Sequence, residues 1–483
     1  MKVHIQSSTS KSKGLKPRSW GAAFVLLLLL CFGAQSLPAQ TAQPTRLVVR
    51  DSLGLTGILN LCNLLGCSTV RGLGDPQGQL FMIQTLSPLD SATTQLLSLL
   101  PLGIVDIETD QIVQTQGATA GPAPSYLNDR TPYTYYGATV WHGYVYQPAN
   151  ELIRTDQTHA TFNVAGSGVT VAVIDTGVDP NHPVLENSLV AGYDFTRNQS
   201  GGSEMSDLSQ SAVAVLDGNA QPAAVSQSAV AVLDQSAVAV LDGPQYAAFG
   251  HGTMTAGIVH LVAPQASIMP LKAFHSDGTG YDSDILRAIY YAVGHSAKVI
   301  NMSFNYASYS QELANAVNYA TNNGVICVAA AGNSGEQATV YPAALKNVID
   351  VASTSDEDTP STFSNYGAPP VWLAAPGEGV MTTYPFSTYA AGWGTSFSTP
   401  LVSGTTALMV SMYNTQVNSQ VGLSLGSLSL SLSLGATANV PSGEPQAATA
   451  LSHAQSIPDP QMGYGRLDTY QAVQAWQTSL GLY

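Results

Sequence analysis

Basic residues are scarce in this chain. Its 483 residues include 16 Lys and Arg against 31 Asp and Glu, and from Gly117 onward there are 8 against 25, a net charge of −17. A surface with so few cations repels nucleic acid and anionic lipid, so we expect neither as a partner. The charge suits a soluble exported protein but does not identify a substrate.

Cysteine is nearly absent as well, with four residues in the whole chain. Cys31 lies in an apolar run near the N-terminus, and Cys62 and Cys67 lie close together before residue 115, which leaves Cys327 alone in the remainder. No internal disulfide is available to that larger part, which must rely on packing or bound ions. The apolar run around Cys327 predicts a buried packing residue.

The chain also lacks a hydrophobic run long enough to cross a bilayer. The run at 22–32 is well short of the ~20 residues that a membrane helix needs. Basic residues between positions 11 and 18 precede it, and small residues follow it. This order is typical of a secretory signal peptide, assigned to residues 1–39, with a membrane anchor as the alternative. We expect its removal, no stable membrane anchor, and release to the extracellular space or the periplasm.

Residues 40–116 predict a small α+β unit. Strand-like runs lie at 45–50, 68–71, 79–84 and 103–110, and helical apolar spacing occurs at 53–65 and 92–100. The resulting order is βαββαβ, a ferredoxin-like arrangement. The alternative is an ordinary small domain with no functional link to the rest of the chain. Residues 117–150, rich in Gly, Pro, Tyr and Thr, predict a linker or irregular lead-in.

From residue 151 to residue 483, apolar β-rich runs alternate with helical segments. The strand-like runs lie at 169–174, 268–273, 298–302, 325–331 and 348–352, and the helical ones at 285–293 and 311–321. Continuous apolar strands that alternate with helices favour an α/β fold, with a mostly parallel sheet covered by helices on both faces.

Two low-complexity segments interrupt this region, at about 203–245 and 418–450. The first repeats the octapeptide Gln-Ser-Ala-Val-Ala-Val-Leu-Asp from Gln210, Gln227 and Gln235, and the second is mostly Ser, Leu and Gly. The octapeptide is compatible with a β-hairpin or stacked strands, but we favour a surface insertion produced by repeat expansion. Its apolar character predicts aggregation if it is exposed. We expect no catalytic side chains in either segment.

Three motifs carry the chemistry. An apolar strand ends at Asp175 in Val-Ala-Val-Ile-Asp-Thr-Gly, at the strand end where open α/β sheets bind ligands. His251 stands between glycines in Gly-His-Gly-Thr, where Thr253 is a candidate cap for the following helix. Ser396, in Gly-Thr-Ser-Phe-Ser-Thr-Pro, opens an apolar helix predicted to run to about Tyr413.

These residue types fit a nucleophilic serine. A serine hydroxyl needs a base to take its proton, and histidine has a suitable pKa. The base needs a carboxylate that orients it and stabilises the imidazolium. The backbone N–H of Ser396, at a helix start, would face the developing oxyanion, and the side-chain amide of Asn333 in Ala-Ala-Gly-Asn-Ser-Gly is the candidate second donor.

With these motifs in this order, the chain resembles the subtilisin-like (subtilase) family of serine peptidases from about residue 147 onward, outside the low-complexity segments. The resemblance implies a subtilisin-like fold and a secreted serine endopeptidase that cleaves polypeptides through an acyl-enzyme on Ser396. His251 would be the general base and acid, Asp175 would orient it, and Asn333 would complete the oxyanion hole. No cofactor is required for this chemistry.

The resemblance also implies that substrate binds as an extended strand between two segments of the enzyme. The matching residues here are Gly278, Thr279 and Gly280 in the first segment and Ser303, Phe304 and Asn305 in the second. Asn305 stands where the family usually has glycine. Its side chain is therefore expected to narrow the pocket for the residue before the scissile bond.

Two further features, a pair of acidic residues and a possible calcium site, are weaker indicators of function than the motifs above. Asp282 and Asp284 follow the first substrate segment and would favour basic residues upstream of the cut, although we prefer to interpret them as exposed, solvated carboxylates. Structural calcium, which many family members bind, is possible. However, Val184 follows the His182-Pro183 pair where an Asp ligand is often found, so no calcium site is identified. His182 itself is expected to be structural.

The unit at 40–116 resembles the propeptide of the same family, which has the same βαββαβ order. The resemblance implies an intramolecular chaperone and inhibitor that is cut away somewhere between residues 112 and 135.

Three functions stay open at this point. The first is an active endopeptidase. The second is a non-catalytic or self-processing-only homologue that acts as a binding or scaffold protein, and the third is a peptide ligase or cyclase that uses the same site. The complete set of Asp175, His251, Ser396 and Asn333 favours the first over the second.

Overall fold

The computed structural model describes residues 44–114, 121–208, 230–232, 244–367, 371–423 and 462–479. The chain divides into two units, Met1–Pro44 and Thr45–Tyr483, and the strands and helices described here belong to the second. The predicted signal peptide and most of both low-complexity segments lie outside the described residues. Among the helices that are described, none is long and apolar enough to cross a membrane.

Strands and helices alternate along the described chain. The strands are β1 Arg46–Asp51, β2 Cys67–Gly72, β3 Leu80–Thr85, β4 Ile104–Thr109, β5 Ile112–Gln114, β6 Pro132–Tyr135, β7 Ala138–Trp141, β8 Thr170–Asp175, β9 Tyr193–Asp194, β10 Gln199–Ser200, β11 Val230–Val232, β12 Ser267–Lys272, β13 Thr279–Tyr281, β14 Val299–Met302, β15 Ile326–Ala330, β16 Val348–Thr354, β17 Leu373–Pro376, β18 Val380–Tyr384 and β19 Thr388–Gly392. The helices are α1 Leu55–Leu65, α2 Ser91–Leu97, α3 His142–Val145, α4 Pro148–Leu152, α5 Thr155–Phe162, α6 His251–Val262, α7 Asp282–Gly294, α8 Gln311–Asn322, α9 Thr395–Leu423 and α10 Thr469–Ser479.

The first four strands and two helices form a small unit with the predicted βαββαβ order. Its sheet is antiparallel, in the order β2-β3-β1-β4. Leu47 and Ile83 on one face pack with α1 and α2 in a core of the unit's own. Val48 and Met82, which alternate with them, join the core of the larger domain. Because successive side chains of a strand point to opposite faces, the sheet of this unit is covered on both faces, by its own helices on one side and by the larger domain on the other.

Of the cysteines that the structure describes, two lie in the small unit and one lies in the larger domain. Cys62, near the end of α1, and Cys67, at the start of β2, form a disulfide inside the small unit, a pairing that the sequence alone did not assign. Cys327 is buried in β15, as predicted. The larger domain is therefore held by packing and polar contacts without an internal disulfide of its own.

The larger domain is built on an eight-stranded sheet in the order β10-β9-β12-β8-β14-β15-β16-β17. It is parallel except for the β9–β10 edge pair. Along β8, Val171 and Val173 face a core shared with α6 and α9, whereas Ala172 and Ile174 face one shared with α7 and α8. The predicted α/β fold, with a mostly parallel sheet and helices on both faces, is confirmed.

The predicted lead-in at 117–150 is packed into this domain over its described part. Strands β6 and β7 pair antiparallel, and the buried hydroxyl of Tyr144 donates to the carbonyl oxygen of Gly257 in α6 at 2.6 Å. The side-chain amide of Gln147 makes two 2.8 Å hydrogen bonds with the backbone of Met381 in β18. These long-range polar contacts hold α6 and β18 together, and no local periodicity predicts them.

A short part of the octapeptide repeats is also described. Val230–Val232, in the second copy, pairs antiparallel with β19 at residues 390–392. For these three residues the strand interpretation, which we did not favour, is the one observed. The first and third copies lie outside the described residues.

Gly257 allows α6 to approach β18 closely. A Cβ at this position would lie 2.1 Å from Oγ1 of Thr383 and 2.3 Å from Oγ1 of Thr382. Both hydroxyls donate to carbonyl groups of α6 at 2.8 Å, so they cannot move aside without losing those bonds. We expect Gly257→Ala to lower the free energy of unfolding by about 1–3 kcal/mol. Denaturant unfolding measures the loss, in a Ser396→Ala background because Ser396 is the expected nucleophile.

Gly294→Ala is the matched control. Gly294 is the last residue of α7, and a Cβ there would meet nothing within 4 Å. This variant should be neutral or more stable by up to ~1 kcal/mol, since alanine is the better helix former. Equal destabilisation of both variants would contradict the close-contact explanation.

Candidate active site

Asp175 and His251 meet at the carboxyl edge of the central sheet. Asp175 is the last residue of β8, and His251 is the first residue of α6. Nδ1 of His251 lies 2.7 Å from Oδ1 of Asp175. The same carboxylate accepts the N–H of Thr176 at 2.7 Å and the hydroxyl of Thr255 at 3.1 Å. A buried, well-bonded carboxylate of this kind holds the imidazole in one orientation and one tautomer.

The electrostatics of this pair favour the charged imidazolium. Burial disfavours the charge on His251, but the negative charge of Asp175 and its hydrogen bond outweigh burial. The pKa of His251 is therefore raised above its ordinary value of 6.5. The imidazole becomes a stronger base as a result.

Ser396 is the second residue of α9 and contacts the loop after β14. Its hydroxyl donates to the carbonyl oxygen of Ser303 at 3.0 Å, and the Ser303 hydroxyl donates to the carbonyl oxygen of Ser396 at 2.9 Å. The ring of His251 lies beside that of Phe397, with 5.7 Å between centroids. The structure thus joins His251 to its carboxylate but turns the Ser396 hydroxyl towards Ser303.

Asn333 is held against the start of α9. Its Oδ1 accepts hydrogen bonds from the N–H and the hydroxyl of Thr395, both at 2.9 Å. These bonds fix the orientation of the amide and direct Nδ2 away from Thr395. Gly394 leaves room there, since a Cβ would lie 3.3 Å from Nδ2. Asn333 is thereby linked to the residue that precedes Ser396.

The two predicted substrate segments lie in different surroundings. In the first segment, at 278–280, Thr279 and Gly280 belong to β13, which pairs antiparallel with β5 of the N-terminal region. This segment therefore accepts an extended strand. The second segment, at 303–305, is buried throughout, and it contacts the nucleophile candidate through Ser303.

Asp282 and Asp284 are buried in the first turn of α7, so the expectation of exposed, solvated carboxylates was wrong. The N-terminal region covers them: the backbone N–H of Asp282 donates to the carbonyl oxygen of Gln111 at 3.0 Å. Burial raises the pKa of Asp282 to about 7 and that of Asp284 to about 6. In this form of the chain neither carboxyl group is presented to a substrate.

Glu204 is a residue of the site that sequence reasoning missed. It lies in the short turn Glu204–Asp207, inside the segment predicted to be a non-catalytic insertion. Its buried carboxylate accepts hydrogen bonds from the Gly250 N–H at 2.8 Å, the Thr176 hydroxyl at 3.3 Å and the Thr253 hydroxyl. These donors flank both members of the Asp–His pair. No local pattern identifies Glu204, because it lies 46 residues before Gly250 in the chain.

Thr253 does not cap α6 as expected. The N-cap is Gly250, without a side-chain hydrogen bond, and Thr253 already lies in the first turn. Its hydroxyl donates to Glu204 and accepts the N–H of Asp179 at 2.8 Å. Burial raises the pKa of Glu204 to about 8, although the hydrogen bonds from Thr253 and Gly250 act in the opposite direction.

Charge pairs surround this part of the site. Asp207 accepts a hydrogen bond from the buried ammonium of Lys272 at 2.7 Å and forms an ion pair with Arg197, whose Nη2 lies 2.5 Å from its Oδ1. Lys272 also donates to the carbonyl oxygens of Thr176 and Phe274, both at 2.7 Å. Over the described ranges, no group of three or more His, Cys, Asp or Glu side chains is placed to hold a metal ion.

Known proteins resemble the chain in sequence and in fold. The sequence model of the Subtilase family matches residues 166–443. Thermitase of Thermoactinomyces vulgaris is 37% identical over 256 residues, which cover 51% of this chain and 76% of thermitase. Subtilisin BL of Lederbergia lenta is 34% identical over 283 residues, 55% of this chain and 88% of that protein.

A solved structure shows the same fold. Fervidolysin from Fervidobacterium pennivorans, described as a keratinolytic enzyme related to subtilisin, is 22% identical with a TM-score of 0.63. The superposition covers 91% of this chain and 62% of that one. At this identity the likeness concerns the fold alone.

The buried carboxyl group of Glu204 predicts a pH-dependent stability. Between its ordinary pKa of 4.5 and its folded pKa of about 8, the folded state binds more protons than the unfolded state. Its contribution to stability is therefore lost as the pH rises through this window. Glu204→Gln cannot ionise but keeps an oxygen for the Gly250 N–H. We expect its Tm, relative to wild type, to rise between pH 5 and pH 9 in calorimetry on the Ser396→Ala background.

Glu186→Gln, at an exposed position, is the control for this comparison. Its Tm should follow that of wild type at every pH. A Tm difference between wild type and Glu204→Gln that stays constant across the range would show that Glu204 does not titrate there.

Proposed function

Because the chain belongs to the subtilase family and is a serine-type endopeptidase, we propose that it hydrolyses peptide bonds through an acyl-enzyme on Ser396. The observation that carries this assignment is the 2.7 Å hydrogen bond between His251 and the buried Asp175. Ser396 lies at the start of α9, where the ring of its neighbour Phe397 lies beside that of His251. Polypeptides are the substrates of this reaction.

In the proposed reaction, Nε2 of His251 removes the proton from the Ser396 hydroxyl while Oγ attacks the substrate carbonyl. Asp175 keeps a proton on Nδ1 and stabilises the imidazolium. The imidazolium protonates the departing amine as the C–N bond breaks, which leaves the acyl-enzyme. Water, deprotonated by His251, then releases the acyl group and restores the Ser396 hydroxyl.

Two donors would stabilise the negative oxygen of the tetrahedral intermediate. The first is the backbone N–H of Ser396, because the first N–H groups of a helix have no intrahelical acceptor. The second is Nδ2 of Asn333, whose amide is oriented by Thr395. A preorganised side-chain donor at this place contributes roughly 3–4 kcal/mol to the transition state, a magnitude measured in a subtilisin.

The substrate is proposed to bind along β13 as β5 does here. Ile112–Gln114 pairs antiparallel with Thr279–Tyr281, and Val113 is buried. A substrate strand would use the same backbone groups of β13. The N-terminal unit is accordingly proposed to be a propeptide that inhibits the enzyme until a cut between residues 112 and 135 separates it.

Two carboxylates of the N-terminal unit support this docking. Glu108 accepts the Gln311 N–H at 2.6 Å and the Ser310 hydroxyl at 2.7 Å, at the start of α8. Asp110 accepts the N–H and the hydroxyl of Ser283, at 2.8 and 2.9 Å, in the first turn of α7. Helix N-termini favour negative charge, so both contacts stabilise the covered form.

We also propose that residues 1–39 direct secretion and are removed. The basic, apolar and small-residue order of this leader supports the assignment. A cofactor is not required in the proposed steps, because nucleophile, base and oxyanion donors are all groups of the protein. N-terminal sequencing of exported wild type identifies the second cleavage point, and sequencing of exported Ser396→Ala, which should keep its N-terminal unit, identifies the first.

Ser396→Ala tests the nucleophile. Wild type should react with a fluorophosphonate probe, digest casein, and separate from its N-terminal unit in mass spectrometry. Ser396→Ala should lose all three activities because the attacking hydroxyl is gone. Ser398→Ala is the matched control, since Ser398 is buried in the same helix and its hydroxyl makes no hydrogen bond within the described structure.

The outcomes separate the three functions. Probe reaction without hydrolysis would indicate peptide ligation or cyclisation. A folded wild-type protein that neither reacts with the probe nor cleaves itself would overturn the peptidase assignment in favour of a non-catalytic homologue.

The pH profile tests the base. His251 must be neutral to accept the Ser396 proton, and Asp175 raises its pKa. We expect kcat/KM to fall as the pH is lowered, with a midpoint above 6.5. The His142–Asp129 pair, also 2.7 Å apart, lies in the lead-in, so His142→Gln should leave the profile unchanged. A flat profile down to pH 4 would rule out His251 as the base.

A further inference from the structure

Asn305 places a side-chain amide beside the proposed reacting groups. It lies two residues after Ser303, whose carbonyl oxygen accepts the Ser396 hydroxyl. On the other side it lies against Gly332, since a Cβ there would be 3.2 Å from Nδ2 and 3.3 Å from Oδ1 of Asn305. Gly332 directly precedes Asn333, the proposed oxyanion donor. Asn305 therefore lies between the segment that contacts Ser396 and the residue that precedes Asn333.

The oxygen of this amide is buried without a partner. Asn305 is 3% exposed, and within the described structure its Oδ1 accepts no hydrogen bond. The amide of Asn365, which also lies against Gly332, is engaged elsewhere: its Nδ2 donates to the carbonyl oxygen of Ala331 at 3.0 Å, and its Oδ1 accepts the Ser334 N–H at 2.9 Å. An unsatisfied buried acceptor destabilises the folded state, because it has lost its hydrogen bond to water without gaining another. A donor that arrives with the substrate would restore that hydrogen bond.

We propose that Asn305 makes this endopeptidase selective for a carboxamide side chain, glutamine or asparagine, at the residue whose carbonyl is attacked. This selectivity rests on the proposed role of Ser396. A carboxamide N–H donates to Oδ1 of Asn305, and the carboxamide oxygen accepts from its Nδ2, so both ends of the buried amide are satisfied.

Other side chains fit this environment less well. An apolar side chain leaves Oδ1 unpaired. A carboxylate brings no N–H donor. An ammonium or guanidinium group donates but carries a charge into a buried position, where its desolvation is unfavourable unless a counter-charge is present. A site built to hydrogen-bond a substrate group discriminates strongly against analogues that lack it.

Three fluorogenic peptides that differ only at this residue test the selectivity. Glutamine, methionine and glutamate have similar length, but only glutamine offers a neutral N–H donor. We expect wild type to cleave the glutamine peptide with kcat/KM about 10-fold or more above the other two. Equal or faster cleavage of the methionine peptide would overturn the proposal.

Two variants assign the preference to Asn305. Asn305→Gly removes the amide and should bring the glutamine and methionine peptides to within about 2-fold of each other. Asn305→Asp keeps the shape but adds a negative charge, and should shift preference towards a lysine peptide. Each preference is a ratio within one enzyme, so a partial loss of folding does not alter it. Asn323→Gly, at the exposed end of α8, is the control and should keep the wild-type ratio. An unchanged ratio in both Asn305 variants would exclude this residue as the determinant.

Fluorophosphonate labelling of the same preparations separates this inference from the proposed function. A labelled enzyme that cleaves the peptides without a glutamine preference overturns the selectivity alone. An unlabelled enzyme that cleaves none of them overturns both.

Discussion

The buried carboxylate of Asp175 can hold the imidazole of His251 only if a strand end and a helix start stay in place relative to each other. The strand end is set by the parallel sheet, in which β8 has hydrogen-bonded neighbours on both sides. The helix is set by side chains along its length: Thr382 and Thr383 donate to its carbonyl groups, and Tyr144 does so further along. A displacement of about 1 Å is enough to impair a catalytic geometry, so packing far from the reacting atoms affects the proposed chemistry directly.

Buried polar groups extend this constraint beyond the Asp–His pair. Glu204 connects the turn after β8 to the start of α6, and Lys272 connects the same turn to Asp207. The side chains that make these contacts lie in the turn Glu204–Asp207 and in strand β12, outside the three sequence motifs. Because charged and polar groups are costly to bury without partners, each position in such a network depends on the others. The region that leads into the repeats is therefore structurally coupled to the site.

Strand β13 has two roles in the proposed function. Strand β13 must offer unpaired backbone groups to bind an extended peptide, and an unpaired edge readily accepts any strand. In the intact chain β5 fills it, while Glu108 and Asp110 hold the N-terminal unit on the starts of α8 and α7. The buried carboxyl groups of the α7 turn become covered by the same docking. The proposed inhibition by the N-terminal unit and the proposed binding of substrate would thus use the same backbone hydrogen bonds of β13.

Local patterns along the chain were sufficient to predict the α/β fold, the βαββαβ order of the N-terminal unit, and the places of Asp175, His251 and Ser396 at the ends of elements. They were sufficient because apolar periodicity and glycine-flanked polar residues are signals that can be read within a few positions. Only the folded chain shows the partners of Glu204, the burial of Asp282 and Asp284, and the Ser396–Ser303 hydrogen bond. The same holds for the oxygen of Asn305, which has no partner among the residues that the structure describes. Each of these features depends on which distant segment lies against a polar atom. Packing in three dimensions therefore decides whether a buried polar atom has a hydrogen-bond partner.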